Sequence, residues 1–321
     1  MKNHKSSTKK IQRRHIEALI AIDDFGSVHK AAKELGCPQP VLSRTLSETE
    51  SIFGVSLFNR SSHGCKPTLQ GEEVISRSRL ALRAMHKVEN SAAELRPTIL
   101  LGCIPRVMHT FMPNLLAYMH PDIAIRQIGL NKSTSFELKV TEGSSKLLFD
   151  LIVGGNLDFG ILRNQTNPLP NNIDDIVMER IYDEKTVLIC SASHPEIKGK
   201  LISIDTLSKF SWALPEIETT SRLAFDQFWE NQNLNRIKPI IETRSFESNI
   251  ALVASTKLIS IAPESIAKAY VKLGVLKIIN TRSEIPANPI MLAFKKAAQD
   301  DVMLSKFRSL IHLIGKSFIN K

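Results

Sequence analysis

Ser27-Val28-His29-Lys30-Ala31-Ala32-Lys33-Glu34-Leu35, Gln39-Pro40-Val41-Leu42-Ser43-Arg44 and Leu57-Phe58-Asn59-Arg60 are the stretches whose reading decides the fold of the N-terminal part of this chain. The first two read as short helices joined by a tight turn at Gly36-Cys37, and the third opens a wing. Upstream, Ile16, Leu19, Ile20, Ile22 and Phe25 form a helical stripe within Ile11–Phe25, which Gly26-Ser27 ends. Ser27 is placed to N-cap the second helix, whose apolar face is expected to bury Val28, Ala31, Ala32 and Leu35. Pro38 suits the start of the third helix, where its missing N–H would be unsatisfied in any case. That helix is expected to bury Val41, Leu42 and Leu46 and to leave Gln39, Pro40, Ser43, Arg44 and Ser47 outward. Gln pairs bidentately with adenine and Arg with guanine, Ser suits a phosphate or base, and Pro packs on a thymine methyl. Residue types alone fit an ordinary exposed helix face equally well. The order of three helices, turn and wing favours a device that lays one helix in the major groove of DNA.

Composition and charge agree with two domains and a nucleic-acid partner. The chain has 321 residues, 43% hydrophobic, and a net charge of +10. Residues 1–96 hold 16 Lys and Arg against 10 acids, whereas 97–321 hold 26 against 22, so the basic excess is concentrated at the N-terminus. Lys2, Lys5, Lys9, Lys10, Arg13 and Arg14 meet no acid before Glu17, and such a run either engages a phosphate backbone or stays a solvated tail. Cys37, Cys65, Cys103 and Cys190 lie far apart without a CxxC, which fits a reducing cytoplasm. No apolar run approaches the ~18 residues of a membrane span, and no signal peptide is evident. The nine histidines form no HxH or HExxH pattern, and GxSxG, Walker and dinucleotide motifs are missing. The expectation is therefore no enzyme, no cofactor, no metal and no membrane; an enzyme fused to a DNA reader and a solute receptor are the weaker alternatives.

Gly71 to Arg96 reads as one long helix with a seam of Val74, Ser78, Ala81, Met85, Val88, Ala92 and Leu95 in steps of four and three. This heptad spacing implies a partner helix, although a lone amphipathic helix packed on its own domain would use the same stripe. Pro97 ends it. From Thr98 the texture alternates: strands at 99–104, 136–140, 158–162, 186–192, 239–243 and 258–262, helices from about Arg106 to Met119, from Ser144-Ser145 to Gly154, and over 221–231 and 247–254. Alternating β and α implies a doubly wound fold with ligands at strand C-termini and helix N-termini. Arg106, Ser144, Ser145, Arg163, Pro215, Thr219, Arg222 and Ser248 lie at such positions. Free N–H groups and the helix dipole there favour an anion, and an arginine fork binds carboxylate or phosphate; a solvent-facing or acid-neutralising Arg106 is the plainer alternative.

Residues 11–71 resemble the winged helix-turn-helix of LysR-type transcriptional regulators. The resemblance is carried by Gly26-Ser27, Ala31-Ala32, Gln39-Pro40-x-Leu42-Ser43-Arg44, Glu50, Gly54-Val55-x-Leu57-Phe58-x-Arg60 and Thr68-x-x-Gly71. It implies that Ser27, Gln39, Pro40, Ser43 and Arg44 face DNA and that Arg60 and Lys66 in the wing grip the backbone or minor groove. Pro38, Ser47-Glu48 and Thr49 depart from the pattern, and Glu48 would repel phosphate if it faced DNA. Further on, Ile104-Pro105, Met112-Pro113-x-Leu115-Leu116, Glu142-Gly143-Ser144-Ser145-x-x-Leu148, Gly155-x-Leu157-Asp158-Phe159-Gly160-Ile161 and Leu214-Pro215 with Arg222 are similar to the family's effector domain. Arg106 replaces a small polar residue common there, and the spacing between Asp122 and Phe136 suggests an insertion.

The resemblance implies an α/β fold class: an all-α winged helix-turn-helix over residues 9–70, a linker helix over 71–96, and a Rossmann-like, periplasmic-binding-protein-like effector domain over 97–321. The linker helix would dimerise through Val74, Ala81, Met85, Val88, Ala92 and Leu95. The effector domain would comprise subdomain I (98–164 plus 267–321) and subdomain II (165–266). The expected partners are promoter DNA, a small effector such as a carboxylate or sugar derivative held between the subdomains, and further copies of the chain as a dimer or tetramer, in the cytoplasm at the nucleoid.

Overall fold

The computed structural model describes residues 10–61, 64–90, 98–123, 136–163, 175–198, 201–217 and 219–319. The chain divides into two compact units, one holding residues 1–101, 135–139 and 149–159, the other holding the remainder.

The first unit opens with α1 (Arg13–Phe25), α2 (Val28–Glu34) and α3 (Gln39–Phe53). A hairpin of β1 (Phe58–Ser61) and β2 (Gly64–Pro67) follows, then the 22-residue α4 (Leu69–Asn90). Gly26 and Gly54 stop α1 and α3 with φ of 61° and 72°, which a glycine adopts without steric cost. Leu19, Ile22, Ala31, Ala32, Leu42, Leu46, Leu57 and Ile75 form its core. Three details differ from the sequence reading. Ser27 stands at the N-cap of α2 but its side chain accepts no capping bond. Pro38 is the N-cap of α3, and Pro40 is the proline of its first turn. Leu35, at the C-cap of α2, and Val41, in the first turn of α3, are exposed, and Thr49 takes a buried position with its hydroxyl donating to Thr45 O.

His15 is buried in α1, and its Nδ1 accepts the Gln12 N–H at 3.1 Å. Burial, aided by Arg14 and opposed by Glu48, lowers its pKa below the ordinary 6.5. The unfolded chain therefore takes up a proton that the folded chain refuses. This part of the stability is complete above about pH 6.5 and is lost as pH falls through that unfolded value. Denaturant unfolding at ~pH 7.5 and ~pH 5.5 is expected to show a loss on the acid side that shrinks in His15→Gln; equal losses in both proteins would discharge His15 from the effect.

Within this unit α4 is held along its length. Arg79 reaches Asp23 at 2.8 Å and also pairs with Asp24, both on α1. Ser76 Oγ donates to Val153 O at 2.7 Å, and Arg83 bonds Asp158 at 3.1 Å and the Gly155 carbonyl. Asp158 also accepts the Leu100 N–H. The expected seam is thus in part buried within this unit. Val74 packs against the helical core and Ser78 is buried, Ala81 is half-buried, and Met85 and Val88 are exposed. Ala92 and Leu95 lie outside the described residues.

After α4, β3 (Thr98–Cys103) leads to α5 (Pro105–Thr110) and α6 (Met112–Met119), two helices where one was expected. Then come β4 (Glu137–Glu142), α7 (Ser145–Val153), β5 (Phe159–Arg163) and β6 (Ile176–Glu184). The unit boundary passes through β3, β4, α7 and β5. The second half of the alternation is β7 (Thr186–Ser191), α8 (Ile204–Leu207), β8 (Ala213–Pro215), α9 (Thr220–Glu230), β9 (Ile241–Thr243), α10 (Phe246–Ser255), β10 (Ser260–Pro263), α11 (Glu264–Lys272) and β11 (Leu276–Ile278). The chain closes with β12 (Asn288–Lys295) and α12 (Val302–Ile319).

Five strands form one sheet in the order β4-β3-β5-β12-β6, and a second system comprises β10-β7-β11 and β8-β9. The sheets are mixed rather than wholly parallel: β12 runs antiparallel to both neighbours, and β7 does so to β10 and β11. These pairings move both expected subdomain limits. β6 lies along β12 in the first sheet, so residues 176–184 do not belong to subdomain II. β11 pairs with β7, and Ile266, Ala267 and Leu276 share a core with Ile189 and Val253, so this segment does not belong to subdomain I. The chain crosses between the two sheet systems at Glu184 and Lys185, and it returns between Ile278 and Asn288. The suggested insertion falls largely on residues 124–135, outside the described ones.

Candidate functional site

Two surfaces carry chemistry. In the helical unit, α3 turns Leu42, Leu46 and Thr49 inward, which leaves Gln39, Pro40 and Arg44 exposed and Ser43 half-exposed on the far side. The Arg44 side chain is 83% exposed, its Nε 3.2 Å from Glu48 Oε1. Glu48 therefore does not stand alone on this flank: it also lies 3.4 Å from Arg14. Gln39 Oε1 is 3.2 Å from His29 Nδ1, so α2 orients the first side chain of α3. Glu50 accepts the Leu57 and Phe58 N–H groups, which braces the entry to the wing, and lies 3.7 Å from Arg60. Arg60 is half-exposed and Lys66, opposite Asn59 in the hairpin, is exposed. Ser27 is half-buried beside this surface.

The second surface lies in the other unit. Ser145 Oγ, at the start of α7, accepts the Arg163 N–H at 3.2 Å, while Ser144 Oγ accepts the Leu147 N–H. Arg163 ends β5 and is 2% exposed, yet none of its three side-chain nitrogens has a hydrogen-bond partner among the described residues. Burial, with the charge of Arg106 adding to it and Glu184 opposing, pushes its pKa down to about 9. Arg106 is not open at its helix terminus: it pairs with Glu184 Oε2 at 2.8 Å. The other carboxylate oxygen of Glu184 accepts the Ser265 hydroxyl at 3.0 Å. One turn along α5 from Arg106, His109 meets Glu247 of α10 at 2.6 Å. A buried charge left unpaired costs several kcal/mol, on the order of what a whole domain has to spare.

Sequence reasoning grouped Arg106, Ser144, Ser145 and Arg163 with Pro215, Thr219, Arg222 and Ser248, and missed Glu184 and Ser265. No signal pointed to them, because both sit on elements that were not assigned from sequence. Pro215, Thr219 and Arg222 form a separate group in the second sheet system. There Arg222 is buried, held by Asp226 at 2.9 Å, Glu242 at 2.9 Å and Pro215 O at 3.0 Å. Thr219 caps α9 by accepting the Arg222 N–H. These residues hold a helix end together and offer no free cation. Ser248 is exposed on α10, its N–H donating to Ser245.

Residues 13–72 match the family model described as the bacterial regulatory helix-turn-helix protein, lysR family, and residues 92–313 match the LysR substrate binding domain. The chain belongs to the LysR family of transcriptional regulators, which bind DNA, carry an effector-binding domain and are not enzymes. It is 24% identical over 301 residues to the HTH-type transcriptional regulator PcaQ of Agrobacterium fabrum, covering 92% of this chain and 93% of that one. Its fold is similar to that of ArgP from Mycobacterium tuberculosis, with a TM-score of 0.72 at 14% identity over 95% of this chain and 98% of that one. It is also similar to full-length CbnR in complex with its target DNA, with a TM-score of 0.54 at 18% identity over 95% and 100%. No helix among the described residues is long and apolar enough to cross a membrane.

Proposed function

We propose that the chain reads promoter DNA through the exposed face of α3, with Gln39, Pro40, Ser43 and Arg44 toward the major groove and Arg60 and Lys66 of the wing on the backbone or minor groove. The observation that carries this is the two-faced burial of α3, which leaves Arg44 largely exposed on the surface that a groove would meet. Two copies pair through the part of α4 from Ala81 through Met85 and Val88, where the last two are exposed, so that a two-fold dimer spans two half-sites; dimers join into tetramers. The protein works in the cytoplasm on the nucleoid. A small anion binds in the second unit at Arg163, Arg106 and Ser145, supported by the buried guanidinium without a partner. The ligand acts by preferring one relative pose of the two sheet systems, because equal affinity for both would shift nothing.

DNase footprinting upstream of the gene tests the reading. A long, two-part protected site is expected, and Arg44→Ala is expected to cost roughly 1–3 kcal/mol at that site if the guanidinium contacts a guanine. Equal losses on random DNA would reassign Arg44 to the phosphate backbone. No protection at low salt on any promoter fragment of the genome would reject α3 as the reading helix.

A further inference from the structure

Around Arg163 the charges can be counted. Two guanidinium groups, of Arg106 and Arg163, stand near one carboxylate, that of Glu184. Tyr182, also in this cluster, stays neutral because burial raises its pKa. Glu184 has one oxygen on Arg106 and the other on Ser265, and its single charge faces both guanidinium groups. The cluster keeps one net positive charge, and the Arg163 side chain, 2% exposed, offers a fork of donors that meets no acceptor among the described residues. That fork fits a carboxylate bidentately. A second negative charge on the ligand would face Glu184 across a medium of low dielectric, where repulsion between like charges is severe. A neutral sugar would leave the guanidinium uncompensated.

We infer that the effector is a monocarboxylate, anchored on Arg163, and that Glu184 acts as a built-in counter-ion that sets this charge selectivity by occupying Arg106. This rests on the anionic-ligand reading given above and narrows it. Glu184 is a specificity-determining residue rather than a ligand contact: it disfavours dianions by holding a negative charge in the same cluster as the anchoring guanidinium.

The test uses the full-length protein, with thermal shift and titration calorimetry at fixed ionic strength. Acetate, benzoate, acetamide and malonate are the probes, chosen to vary charge at small size. Acetate is expected to stabilise the protein saturably and acetamide not to. Acetate should bind at least about tenfold more tightly than malonate, and E184Q should shrink that ratio at least about tenfold by freeing Arg106 for the second carboxylate. R163M should abolish the saturable response. Malonate binding as tightly as acetate, with both lost in R163M, would overturn the monoanion inference and leave an anionic effector standing. No response to any carboxylate, or a response that survives R163M, would overturn both. If E184Q fails to fold, the wild-type ratio of acetate to malonate decides by itself.

Discussion

Gly71→Ala is expected to unfold or nearly unfold the DNA-reading unit. A Cβ on Gly71 would lie 2.0 Å from the Leu57 carbonyl oxygen and 2.9 Å from its carbon. That oxygen already accepts the Thr68 N–H at 2.9 Å, and Thr68 Oγ1 accepts the Gly71 N–H, so the start of α4 is bolted to the strand entering the wing. The obstacle is backbone and cannot rotate aside as a side chain would. The loss is expected to be about 3 kcal/mol or more, at the upper end of what overpacking costs. Gly36→Ala is the control: it meets no atom within 4 Å and carries only the strain of φ +64°, on the order of 1 kcal/mol. Chemical denaturation together with DNA affinity measures both. A Gly71→Ala protein no less stable than Gly36→Ala would show that α4 does not approach β1 this closely.

Arg222→Ala is expected to destabilise the second unit by about 3–5 kcal/mol with no ligand present, the usual cost of breaking a buried pair from one side. Asp226 is 3% exposed and would be left as an isolated buried carboxylate, and the Pro215 carbonyl would lose its donor. Arg222 begins a helix in a segment similar to the family's effector domain, which is what suggested a ligand contact from sequence. Unfolding of the unliganded protein separates the two roles. A variant of wild-type stability that had lost only ligand binding would restore the ligand role and refute the structural one.

How much could be read from the chain follows from which forces act locally. The helical unit was legible because its helices are marked by 3.6-residue periodicity and stopped by glycines in the left-handed region. Its errors, at Leu35, Val41 and Pro38, fall at the ends of α2 and α3, where the periodicity does not fix which residues face the core. The sheet was half legible. β6 escaped notice because it is an edge strand that carries Glu179, Arg180 and Asp183 amid its apolar residues. β12 pairs with strands far from it in sequence, which no local pattern announces. The site inherits this limit. Arg163 could be named, but its lack of a partner follows from Glu184 being committed to Arg106, a pairing across 78 positions of chain.

The place of β12 in its sheet also sets an order of events during synthesis. It sits between β5 and β6, yet Asn288–Lys295 leaves the ribosome long after both of them. At about 5–20 residues per second, a chain that has already released the reading unit waits on the order of ten seconds or more for the strand that joins β5 to β6. The helices of the reading surface are therefore synthesised well before the sheet that carries Arg163 can close. Slow decoding between residues 90 and 288 would lengthen that interval without altering a single contact in the finished protein.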